Sequence, residues 1–274
     1  MSMQPPLSTS TPSVKWAEQS SAKLDHIGDS GTLILPIGAT EQHGPHLPVG
    51  VDAMVAEYVA IHAAQRSSSD DYPIFVAPVL AYGSSHHHLP KAGTLSFSST
   101  TMLAALRDLL DSAARTGFRR LLILNGHGGN EDVARQAIRD TALVHPVVAG
   151  SVAYWSLAWE ETVAIAARYG VGPVPGHAGS FETSLLLALH PELVSQDIPS
   201  SSRVTVDRKI LEKHPLSGPV VESHRWVHRL GGYSDESTPA SAEAGEAILS
   251  NVVGACSNFL SNFARTPLKE LLDV

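Results

Sequence analysis

A single cysteine, Cys256, stands in this 274-residue chain, which excludes a disulfide framework within it. Its setting in AILSNVVGACSNFL predicts a small buried side chain on a helix. With disulfides excluded, a reducing compartment follows, and the cytoplasm is the expected location. Positive charge is scarce as well. Lys and Arg number 19 against 27 Asp and Glu, a net charge of −8. That balance argues against nucleic acid as a main partner, because phosphate binding needs clustered cations. No apolar run approaches the roughly 20 residues of a membrane span, so no membrane partner is expected. The opening MSMQPPLSTSTPSVKW has no apolar core of the signal-peptide kind. Its Pro, Ser and Thr content predicts a mobile leader over 1–20, followed by one domain over 21–274.

What is present is an alternation. The runs TLILPIGA (32–39), PIFVAPVLAYG (73–83), RLLILNG (120–126) and PVVAGSVAY (146–154) are almost continuously apolar, as strands of a parallel sheet covered on both faces must be. Between them, 52–66, 100–117 and 130–145 carry helical apolar spacing, and 179–194 and 241–265 add two further helices. Strand–helix alternation of this kind predicts an α/β fold, right-handed βαβ units in one mostly parallel sheet. The stretch 195–240 is polar and irregular and reads as a long loop; its Arg225, Trp226 and His228 could build either a groove or a closed pocket.

In such sheets ligands sit outside the carboxyl ends of the strands. EQHGPH follows the first strand, GSSHHH the second and NGHGGN the third, so three histidine-bearing loops converge on one sheet edge. In GATEQHGPHLPVGVD, Glu41 and His43 are two apart and can face the same way on extended chain, and Asp52 returns near the start of the next helix. Carboxylates with an imidazole suit a divalent metal of borderline hardness such as Zn or Mn. His127 stands among glycines that leave its ring unshielded, and His177 precedes Glu182 across a helix start in GHAGSFETS. Taken singly, each has an ordinary explanation: a loop histidine, a helix cap, a capping box. Together they point to metal. His46 is read as support for the loop. Of His86, His87 and His88, three in a row, at most two can line a common site; the rest shape a pocket or a subunit contact.

The four stretches GATEQHGPHLPVGVD, YGSSHHHLPKAGTLS, NGHGGN and GHAGSFETS, in that order, resemble the creatininase (creatinine amidohydrolase) family over about residues 32 to 190, with a weaker echo in GGYSDESTPASAEAGE (231–246). The resemblance implies a three-layer α/β sandwich with a mostly parallel central sheet and a centre of two divalent ions per subunit, Zn and/or Mn. It implies hydrolysis, by a metal-activated water, of a C–N bond other than a peptide bond in a small or cyclic amide. It also implies a homo-oligomer, a hexamer built from dimers. Glu41, His43, Asp52 and His127 match family metal ligands, with Asp52 bridging, and His177 matches a histidine that passes a proton to the leaving nitrogen. One position departs. Creatininase has a glutamate two residues after the third motif's histidine, where this chain has Gly129. Glu182 is the candidate to complete that shell and to serve as an acid, with Glu131 behind it. The family also holds deformylases, lactone and ring hydrolases and a peptide-trimming enzyme of mycofactocin maturation, so peptide or lactone cleavage are the alternatives, with a non-catalytic metal-binding relative behind them.

Overall fold

The computed structural model describes residues 13–198, 200 and 232–271. Four strands, β1 (Thr32–Ile37), β2 (Ile74–Val76), β3 (Arg120–Asn125) and β4 (Val148–Ala153), form one parallel sheet in the order β2-β1-β3-β4. The helices are α1 (Ser21–Leu24), α2 (Val51–Ser67), α3 (Ser99–Arg115), α4 (Glu131–Val144), α5 (Trp159–Arg168), α6 (Ser180–Leu189), α7 (Ala242–Arg265) and α8 (Leu268–Leu271).

Strand side chains alternate between faces, and here both faces are buried. Ile34, Leu122 and Leu124 enter one apolar cluster with α2, α6 and α7. Leu33, Leu35, Ile37, Leu121 and Ile123 enter the other, against Met102, Leu106 and Leu110 of α3 and Ala134 and Ala137 of α4. The result is the expected three-layer sandwich. Cys256 lies in the first cluster, and burial pushes its thiol up to about 12, as expected of a structural cysteine. Among the described residues, no helix is long and apolar enough to cross a membrane.

Two differences from expectation follow. The strand expected over 73–83 pairs only over Ile74–Val76, because Pro36 of β1, next in register, has no N–H for the Ala77 carbonyl; one isolated bridge, Ile37 to Leu80, resumes beyond it. Of the leader expected over 1–20, residues 1–12 lie outside the described residues, while the chain from Val14 onward is packed. The Val76 amide donates to the Val14 carbonyl at 2.8 Å, and the Trp16 ring lies 5.1 Å from Phe118 and 6.3 Å from Phe75. Arg225, Trp226 and His228 lie outside the described residues.

The strand order places the site. β1 leads through α2 to β2 on one side, while β3 pairs with β1 on the other, so the loops after β1 and β3 diverge from the point where the winding reverses, the crevice where open α/β sheets bind ligands. Glycines end both strands because α2 starts directly above them. A β-carbon on Gly38 would collide with the Ala53 backbone, and one on Gly126 with the Asp52 carbonyl. This close approach drives the first turn of α2 into the crevice. Gly126→Ala is therefore expected to lower stability by about 1–3 kcal/mol in urea unfolding; a loss within error of zero would show that α2 is free to slide away.

Candidate functional site

The loop after β1 delivers Glu41 and His43, and the second residue of α2 delivers Asp52. His127 follows β3, and Glu182 sits in the first turn of α6, with His177 just before that helix. Glu41, His43, Asp52, His127 and Glu182 are each at most 5% exposed. Three carboxylates this deeply buried need compensation. Part of it comes from the α2 and α6 N-termini, whose dipoles favour the first-turn acids Asp52 and Glu182.

Asp52 organises the rest. Its Oδ1 lies 3.3 Å from His43 Nε2 and its Oδ2 lies 3.1 Å from His127 Nδ1. His43 Nε2 is also 3.7 Å from Glu182 Oε2, and His127 Nδ1 is 3.4 Å from Glu41 Oε1. Two trios thus share one carboxylate: His43–Asp52–Glu182, and Glu41–Asp52–His127. The structure brings Glu182 to His43, not to the glycine turn after His127. Glu131 is turned away and pairs with Arg135 at 3.5 Å.

Hydrogen bonds set which ring nitrogens face inward. A carbonyl can only accept, so His43 donates from Nδ1 to the Glu41 carbonyl at 3.0 Å, and His127 donates from Nε2 towards the Ser84 carbonyl at 3.3 Å. His43 Nε2 and His127 Nδ1 are thereby the nitrogens that face Asp52: each points a proton at the carboxylate when the ring is charged and offers a lone pair once that proton leaves. His43 Nε2, Glu41 Oε2 and Asp52 Oδ2 are buried without a well-formed hydrogen bond. Each such atom costs on the order of 1–3 kcal/mol if left unsatisfied, and the three converge. The donor set, nitrogen and carboxylate oxygen from separate loops, fits a divalent cation.

The electrostatics agree. Burial alone would discharge His43 and His127, yet the facing carboxylates outweigh it and hold their pKa values up at about 10 and about 9. Burial raises Glu182 to about 8 against the pull of His43. Asp52, opposed by burial but flanked by both imidazoles, is held below the usual carboxylate range. The cluster stores protons where cations would sit.

His88 has the opposite arrangement. Gln42 Oε1 accepts from the Gly44 amide, so Gln42 Nε2 must donate, and it reaches His88 Nδ1 at 2.9 Å. The His88 proton is then on Nε2, which faces Glu41 Oε1 at 3.3 Å. His88 orients Glu41. His177 places Nδ1 3.5 Å from Glu41 Oε1, while its Nε2 is 2.9 Å from both the carbonyl and the side-chain nitrogen of Gln42. Either tautomer of His177 is therefore hydrogen-bonded. His46 bonds Thr183 through Nε2 at 2.8 Å, outside both trios.

Several supporting residues escaped the sequence reading. Asn125 braces His127, donating to its carbonyl at 2.7 Å and accepting from its amide at 3.0 Å. Asn130 ties the Gly38 carbonyl to the Ser84 amide, both at 2.9 Å. Both asparagines bracket NGHGGN, where short side chains that bond nearby backbone are a readable signal. Ser234 accepts from the His177 amide at 2.8 Å, and Asp235 accepts from Ser234 Oγ and from the Ser180 amide. Nothing local in the sequence signals that pairing, which spans more than fifty residues.

A family model described as "Creatininase: Creatinine amidohydrolase" matches residues 16–260. The chain is 30% identical over 240 residues to the mycofactocin precursor peptide peptidase of Mycobacterium ulcerans (strain Agy99), covering 86% of this chain and 87% of that one. It is 35% identical over 182 residues to the creatinine amidohydrolase of Pseudomonas putida, covering 60% of this chain and 66% of that one. The fold superposes on a solved structure described as a manganese creatininase with a TM-score of 0.73 at 28% identity, covering 93% of this chain and all of that one. With the motif loops, the parallel sheet and the buried donor cluster agreeing with these likenesses, the chain belongs to the creatininase family, whose characterised relatives here are hydrolases.

Proposed function

We propose that Glu41, His43, Asp52, His127 and Glu182 hold two divalent ions, Zn and/or Mn, and that the chain hydrolyses the C–N bond of a small or cyclic amide. The observation that carries this reading is Asp52, which offers one oxygen to each trio. A bound pair of this kind acidifies water and polarises a carbonyl oxygen. The chain's own part is to bury the site, fix the ligand tautomers and move the proton. His177 is the proton carrier: with Nε2 between a donor and an acceptor, it can lose a proton from one nitrogen and gain one on the other without losing its hydrogen bonds. Glu182, expected either as ligand or as acid, is assigned to the first trio by its place beside His43.

A second reading, cleavage of a peptide bond, is favoured by the mycofactocin peptidase likeness, which covers 87% of that relative against 66% of the creatinine amidohydrolase. Incubating the Zn- and Mn-loaded protein with short peptides, lactams, formamides and lactones separates the readings. Turnover of lactams or formamides but not peptides supports the first; the reverse supports the second, and lactone cleavage alone would show that the leaving atom is oxygen.

Two outcomes test the centre itself. Asp52→Asn is expected to lose both ions and at least about 100-fold in activity, as measured by elemental analysis and turnover; retention of both ions would remove Asp52 as the bridge. Metal affinity is also expected to rise with pH. His43 and His127 keep their protons to about 10 and about 9 without metal, and a cation must displace them. The logarithm of apparent affinity should therefore climb by about one per pH unit for each proton displaced between pH 6.5 and 8.5, in competition with a chelator. A flat profile would show that those imidazoles are not ligands.

A further inference from the structure

The run His86–His88 folds as one turn of 3₁₀ helix. At three residues per turn, successive side chains point about 120° apart, so the three rings serve three different neighbours. His86 is exposed and bonds Ser96 Oγ at 2.8 Å. His88 points inward to Gln42 and Glu41. His87 lies over His127, with ring centroids 5.6 Å apart and planes within 7° of parallel.

The space His87 occupies exists because residue 129 is glycine. A β-carbon there would lie 2.5 Å from His127 Nε2 and 3.0 Å from His87 Cε1. Any side chain at 129 would push the two rings apart. One donor atom from each of Glu41, His87 and His127 falls within a mutual 4.8 Å. Tetrahedral ligands at about 2.1 Å from an ion lie about 3.4 Å from one another, so gathering these donors onto one ion needs a closure of at most about 1.4 Å. Glu41, whose Oε2 is buried without a hydrogen-bond partner, belongs to this group. Among the described residues, the His87 ring makes stacking contacts and no hydrogen bond.

We propose that His87 is a ligand of the ion held by Glu41, Asp52 and His127, in the space that Gly129 leaves open. This rests on the two-metal reading above. The second trio then has four protein ligands, from three loops and the first turn of α2, and the turn after β2 becomes part of the centre.

The test uses the full chain, stripped and then titrated with Zn²⁺ against a chromophoric chelator, with Co²⁺ as a spectroscopic probe. Wild type is expected to take two ions. His87→Ala should weaken one of the two sites by at least about tenfold, leave the other at wild-type affinity, and change the visible Co²⁺ bands of the weakened site. His86→Ala, from the same turn, should leave both affinities and the spectrum unchanged. Two ions at wild-type affinity with an unchanged Co²⁺ spectrum in His87→Ala would overturn the His87 assignment and leave the two-metal reading intact. Equal weakening by His86→Ala and His87→Ala would also overturn it, because the turn would then act only as scaffold. A wild-type chain that takes up no divalent ion would overturn both. If His87→Ala fails to fold, His87→Asn, which preserves bulk, carries the same comparison.

Discussion

Asp52 is a carboxylate buried at a helix start with an imidazole against each oxygen, and the rest of the site follows from satisfying it. Alone, so deeply buried an anion would take up a proton. Here His43 and His127 hold it ionised, and they are in turn held in fixed tautomers by backbone carbonyls. Glu41 and Glu182 face the same two rings from the far sides. The cluster's nitrogen and carboxylate donors suit a divalent cation, and the shared carboxylate divides them into two groups.

The sheet makes this possible by where it reverses direction. β1 and β3 are neighbours although not consecutive, so the loops leaving them open a crevice, and α2 drops its first turn into it over Gly38 and Gly126. The layers beneath are ordinary alternating strands with apolar helices on both faces. That apolar frame also lowers the dielectric around the cluster, which strengthens each attraction inside it and makes each unpaired atom more costly.

Supporting residues divide by what their hydrogen bonds permit. His43 and His127 bond a carbonyl on the outer nitrogen, so the inward nitrogen is the one that gives up its proton to a cation. His88 accepts from Gln42 and so presents a proton to Glu41. His177 meets both a donor and an acceptor and is committed to neither. Four similar residues thus take different roles from their neighbours. Asp235 and Ser234 hold the His177 loop from the far end of the chain, linking the segment before α7 to the chemistry.

The sequence by itself determined the α/β class, the positions of the strands and of five of the helices, and the polar loops that face one another. Apolar periodicity and glycine at the strand ends are local properties, and a fold of this kind keeps them local. It also marked Glu41, His43, Asp52, His127, Glu182 and His177 as a group, because residues with metal chemistry rarely cluster at strand ends by chance. Only the tertiary structure decided how they pair. The sequence offered Glu182 to complete the shell that lacks an acid at Gly129; α6 carries it to His43, and the turn after β2 sets His87 beside the glycine. Tautomers, the sharing of Asp52, and the brace from Ser234 and Asp235 depend on distances between segments tens to more than a hundred residues apart. No local pattern encodes such distances, since they are set by how the layers pack.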